Sequence, residues 1–156
     1  MRIDSQLVRS LLRAQFPEYA HLPIAPVLPG GHDNRTFRVG EHVAARLPSA
    51  EPYAAHVPVE YEFLPRLAGR LPVRIPEPLG LGEPGCGFPW HWTLNRWIPG
   101  ETGVAAHARD LEPVARDLAA FLSALHAIDT TGAPAPGEII FHRGGDLAVG
   151  GNETER

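Results

Sequence analysis

The segment Gly30-Gly31-His32-Asp33-Asn34-Arg35-Thr36-Phe37-Arg38-Val39-Gly40-Glu41-His42-Val43-Ala44-Ala45-Arg46-Leu47-Pro48 is where a small sheet announces itself. Thr36 to Val39 alternates polar and apolar residues, as a half-buried strand does. Val43 to Leu47 is a second short run, and Gly40-Glu41-His42 between them suits a tight turn. A hairpin is therefore expected. Alternation puts Ala44 and Arg46 on one face of its second strand.

Upstream, Pro23, Pro26 and Pro29 stiffen an extended approach to Gly30-Gly31. Ser5 to Phe16 carries Leu7, Val8, Leu11 and Leu12 at helical spacing, with Asp4 or Ser5 as the cap. Downstream, a helix is expected with Pro58 near its first turn and Val59, Phe63, Leu64 and Leu67 as its apolar face. Pro65 should kink it, because proline removes a backbone donor. After the stiff stretch Pro72 to Pro78, two more strands are expected, Leu79 to Glu83 and Trp90 to Ile98. Glu83-Pro84-Gly85-Cys86-Gly87 is the turn between them.

Pro99-Gly100-Glu101 breaks the pattern and is the expected boundary between residues 1–98 and residues 99–156. Asp110 is positioned to cap a strongly amphipathic helix whose apolar face is Leu111, Val114, Leu118, Phe121, Leu122 and Leu125. Beyond His126 the chain is rich in glycine and proline and loses periodicity. The fold class is α+β, a small antiparallel sheet with a helix inserted between its strands.

Composition narrows the chemistry. The 156 residues are 44% hydrophobic and 21% charged, with a net charge of −4. That balance sustains a core and argues against a nucleic-acid partner, which calls for a basic stripe. No apolar run is long enough for a membrane span, and the N-terminus has no signal-peptide layout. A cytoplasmic setting is expected. All 14 basic residues are arginine, so Schiff-base and P-loop lysine chemistry is excluded. Phosphate contacts must come from arginine, backbone N–H groups or a metal. The 17 prolines and 16 glycines are spread as turns and edges of a folded domain. The eight histidines show no metal-ligand spacing, and the one cysteine, Cys86, sits in a turn with no activating partner in sequence.

The order of these pieces resembles the N-terminal lobe of the aminoglycoside phosphotransferase family, protein-kinase-like enzymes acting on small molecules. The matching text is Gly30 to Arg38, then Val43-Ala44-Ala45-Arg46-Leu47-Pro48, and Glu60 followed by Phe63 to Ala68. It continues with Ile75-Pro76-Glu77-Pro78-Leu79, Phe88-Pro89-Trp90 and Trp97-Ile98-Pro99-Gly100-Glu101. The resemblance implies a kinase-like N-lobe, a hinge, and an amphipathic helix opening a truncated C-lobe. The implied reaction moves the γ-phosphate of ATP, with GTP as the alternative, to a hydroxyl of a small molecule in the presence of Mg2+.

Site residues follow from the resemblance. Arg46 stands where kinases place the lysine that holds the α- and β-phosphates. An arginine keeps the charge and adds bidentate geometry; its plain alternative is a surface arginine on an edge strand. Glu60 matches the helix glutamate that orients this cation, with Glu62 as a rival on another helix face. Gly30 and Gly31 would let backbone N–H groups approach phosphates, although a glycine pair also makes an ordinary turn. Ala44 would roof the base, and the Arg96 carbonyl and Ile98 N–H would meet adenine at the hinge. Of Trp90, Trp92 and Trp97, at least two are expected to be core.

Kinases of this type also need an His-Gly-Asp loop with a following asparagine, and a second metal-binding aspartate, all in the C-lobe. His142-Arg143-Gly144-Gly145-Asp146 with Asn152 imitates that loop at the wrong spacing. No catalytic or metal-binding residue is therefore expected here, and the chain alone should be inactive. The exposed Leu111 to Leu125 face would invite self-association. The rival reading is a non-catalytic interaction module using the same fold. A third, an unrelated small α+β domain, would gain if Arg46 and Glu60 lay far apart or if Glu60 faced away from the sheet.

Overall fold

The computed structural model describes residues 2–101, 111–133, 135 and 137. Helix α1 spans Ser5–Gln15, and Asp4 caps it by accepting from the Gln6 and Leu7 amides at 3.1 and 3.0 Å. The strands are β1 (Ile24–Pro26), β2 (Asn34–Val39), β3 (Val43–Pro48), β4 (Pro78–Gly82) and β5 (Trp92–Arg96). They form one antiparallel sheet in the order β1-β2-β3-β5-β4. Between β3 and β4 lie α2 (Glu51–Ala54) and α3 (His56–Leu67); α4 (Glu112–His126) follows the sheet.

Alternation divides the sheet into two faces. Phe37, Val39, Val43, Ala45, Leu47, Trp92 and Leu94 are buried and pack with Val8, Leu11 and Leu12 of α1. The other face carries Thr36, Arg46 and Thr93 in one cross-strand row and Arg38, Ala44, Asn95 and Pro78 in the next. Gly82 pairs with Trp92 across β4 and β5, and a Cβ there would run into the buried indole. Gly40, at φ +60, closes the β2–β3 turn in the left-handed region.

The antiparallel sheet and inserted helix are as expected, with three shifts. The proline-stiffened approach is in fact a paired edge strand, β1, which tolerates Pro26 because an edge strand has a spare side. The fifth strand starts at Trp92, since Pro89 and the reciprocal Gly85–Phe88 hydrogen bonds hold the chain in a turn before it. Helix α3 runs on through Pro65 to Leu67, and its one fully buried side chain is Val57. Val59, Phe63, Leu64 and Leu67 are half-buried.

At the start of α4 the N-cap is Leu111 with no side-chain cap, and Asp110 lies outside the described residues. The α4 face is split. Leu111, Val114, Leu118 and Leu122 are exposed, while Phe121 and Leu125 are half-buried. The His142 to Asn152 segment also lies outside the described residues.

Candidate nucleotide site

A cavity of about 450 Å3 opens on the sheet face away from α1. It is lined by Thr36, Ala44 and Arg46 of the hairpin, Glu60 and Leu64 of α3, Pro76, and the run Asn95-Arg96-Trp97-Ile98. The β3 alternation and one turn of α3 bring these groups together. Ala44 and Arg46 are two residues apart on a strand, and Glu60 and Leu64 are four apart on a helix.

Both terminal nitrogens of Arg46 face the Glu60 carboxylate. Nη1 donates to Oε2, and Nη2 lies 3.4 Å from Oε1. Arg46 is 36% exposed and Glu60 34%, so the pair sits at the cavity wall with part of each group free for a ligand. Glu62 is turned away and accepts from Arg66 one helical turn on, at 2.6 Å. The choice between the two glutamates is thereby made in favour of Glu60 as the partner of Arg46.

The segment after β5 has a distinctive pattern of used and unused backbone. The Arg96 N–H donates to the Glu77 carbonyl and the Trp97 N–H to the His42 carbonyl, both at 2.8 Å. Outside the strand ladders, no hydrogen bond among the described residues ends on the Arg96 carbonyl or the Ile98 N–H. The Arg96 side chain points to Glu77, with Nε 2.9 Å from Oε2. The Ile98 N–H is thus without a backbone partner among the described residues, beside the cavity.

Gly30 and Gly31 fall in the β1–β2 connection. The register sets Thr36 against Arg46 and Asn34 against Pro48, so this loop leaves the sheet at the Arg46 end. Gly30 itself lines a separate cleft with Arg2, Asp4 and Arg35, and the Gly31 carbonyl accepts from Arg35 Nη1. Neither glycine lines the Arg46 cavity.

The tryptophans divide as expected, two against the core and one elsewhere. Trp92 is fully buried, and Trp90 packs edge-on to Phe88 with ring centroids 5.6 Å apart. Trp97 lines the cavity under the Arg38 guanidinium, which lies 5.2 Å from its ring centroid. Thr36, Leu64, Pro76 and Asn95 also line the cavity and were not singled out from sequence. The signal for Asn95 was available: polar Thr93 and Asn95 alternate with apolar Trp92 and Leu94.

The family model of the APH phosphotransferase enzyme family matches residues 25–149. The chain belongs to this phosphotransferase family. Solved structures share the fold. The GDP complex of wild-type aminoglycoside 2'-phosphotransferase-IIIa aligns with a TM-score of 0.72 at 21% identity, over 90% of this chain and 46% of that one. The GDP and kanamycin complex of APH(2")-IIia aligns at 0.70 and 21%, over 87% and 44%. The streptomycin-ATP-APH(2")-IIa ternary complex aligns at 0.55 and 21%, over 83% and 42%. The chain spans less than half the length of these phosphotransferases. No curated protein sequence matches it.

Proposed function

We propose that this chain is the nucleotide-binding lobe, hinge and first C-lobe helix of a kinase that moves the γ-phosphate of ATP to a hydroxyl of a small molecule. One observation carries the reading: a paired arginine, a small apolar residue and the Arg96-Trp97-Ile98 segment meet in one cavity. Arg46 would hold the α- and β-phosphates, and Glu60 would keep its guanidinium extended toward them. Ala44 would roof the base. The Arg96 carbonyl would accept from the adenine amine while the Ile98 N–H donates to a ring nitrogen. The Gly30-Gly31 loop, at the Arg46 end of the sheet, would cover the phosphates.

GTP is the alternative donor, and two of the similar structures are GDP complexes. In the reaction the acceptor oxygen bonds to the γ-phosphorus, the bond to the ADP oxygen breaks, and a base takes the hydroxyl proton. That base is expected in a C-lobe carrying the His-Gly-Asp loop, as are the Mg2+ ligands. Among the described residues no group of three or more His, Cys, Asp or Glu side chains could hold a metal. No helix of the described residues is long and apolar enough to cross a membrane. A lobe boundary after residue 98, a cytoplasmic setting, and self-association through Leu111, Val114, Leu118 and Leu122 belong to the same proposal.

Calorimetric titration of the 156-residue chain with MgATP and MgGTP tests the reading. One saturable site per chain is expected. No binding at millimolar nucleotide would overturn it.

A further inference from the structure

We propose that Ser49 is a positioning residue for the nucleotide's phosphates, acting through the loop from Gly30 to Asp33, which it clasps to the end of β3; this rests on the Arg46 cavity being a nucleotide site. The clasp extends the hairpin by one step. The last β2–β3 pair is Asn34 with Pro48, and beyond it the Ser49 N–H donates to the Asp33 carbonyl at 2.8 Å. The Ser49 hydroxyl donates to the His32 carbonyl, also at 2.8 Å. One residue thus holds two successive loop carbonyls.

Two further contacts fix the same loop. Arg35 Nη1 donates to the Gly31 carbonyl, and the His32 ring meets Tyr53 of α2 edge-on with ring centroids 5.9 Å apart. The carbonyls of Gly31, His32 and Asp33 are therefore all engaged by protein donors. The N–H groups of Gly30, Gly31 and His32 have no acceptor among the described residues. Successive free amides attract an anion, and carbonyl oxygens repel it. A loop that ties its carbonyls to the protein keeps them off a phosphate and leaves its amides for one.

Ser49 is the contact that links this loop to the phosphate-holding cation. Arg35 reaches Gly31 through a long, exposed side chain, whereas Ser49 directly follows the strand that carries Arg46. It stands three residues past Arg46, about 10 Å along an extended chain. The hinge lies the other way, where Val43 pairs with Arg96. The clasp therefore acts on the phosphate end of a nucleotide and not on the base. Ordering the loop before the ligand arrives removes a cost that binding would otherwise carry.

The test is calorimetric titration of the 156-residue chain and of Ser49→Ala and Ser49→Thr with MgATP and with adenosine, circular dichroism confirming the fold. Ser49→Ala should weaken MgATP roughly 3- to 10-fold and leave adenosine within about twofold. Ser49→Thr keeps the hydroxyl and should stay within about twofold of the unaltered chain for both ligands. Without nucleotide, 15N relaxation should show the Gly31 and His32 amides more mobile in Ser49→Ala than in the unaltered chain. The Ser49 inference is overturned, and the nucleotide reading left standing, by any of four results in the folded variants: unchanged MgATP affinity in Ser49→Ala, equal weakening of MgATP and adenosine, threonine failing to restore what alanine loses, or equal loop mobility. Binding of neither ligand to the unaltered chain overturns both.

Discussion

Replacing Arg46 with alanine separates a phosphate-holding arginine from a structural one. Arg46 and Glu60 are each about one-third exposed, so water screens much of their attraction. Pairs of that exposure contribute about 0.5–1 kcal/mol to folding. Glu60 can turn to water once its partner is gone. The melting temperature should therefore fall by only about 1–4 °C. A charge-assisted hydrogen bond to phosphate contributes about 1.5–3 kcal/mol, so the Kd for ATP should rise roughly 10- to 150-fold. Adenosine has no phosphates and should bind the variant within about twofold of the unaltered protein. Arg46→Lys keeps the charge without the planar fork and should fall between. The assay is parallel calorimetry with ATP and adenosine, with circular dichroism confirming the fold. Equal weakening of both ligands, or unchanged ATP affinity in a folded variant, would refute the assignment.

Other consequences can be checked independently. Gly82→Ala forces a methyl group into the buried Trp92 indole and should cost about 2–3 kcal/mol, read as a lowered denaturation midpoint. Asp4→Ala removes the N-cap of α1 and should cost about 1 kcal/mol, with no change in nucleotide affinity. The Thr131 hydroxyl, then the Thr131 amide, with help from Arg70, hold the Asp129 carboxyl below the usual aspartate range. Because the folded value is depressed, this contribution is present at neutral pH and is lost as pH falls through it. Carboxyl NMR titration should show that low midpoint, and Thr131→Val should raise it; an unmoved midpoint would discount the hydroxyl. Charge on the α4 row, as in Leu118→Glu with Leu122→Glu, should reduce self-association seen by light scattering.

The hairpin and α1 were legible because their patterns are local. Alternation marks Thr36 to Val39, and Asp4 stands one residue ahead of an apolar helical stripe. The Arg46–Glu60 pair was legible only through family resemblance, since 14 residues and another helix separate the two. The family model's match over residues 25–149 removes the reading of an unrelated domain. β1 was missed because prolines read as strand breakers, and only tertiary pairing with β2 shows an edge that needs no donor there. Asn95 was missed because alternation with Trp92 and Leu94 gives its face but not what that face borders. Its meaning comes from the face it shares with Ala44 and Arg46. The Gly30-Gly31 pair lies in the β1–β2 connection, and its contacts depend on a loop whose path no periodicity encodes.

The central claim is that the cavity between β3, α3 and the segment after β5 holds a nucleotide. Backbone and arginine side-chain NMR spectra of the chain, recorded with and without MgATP, test it most directly. The account predicts that the largest shifts fall on the Ile98 amide, the Ala44 amide and the Arg46 guanidinium, with the α1 core unmoved. Shifts centred on another surface, or none at saturating ATP, would contradict it.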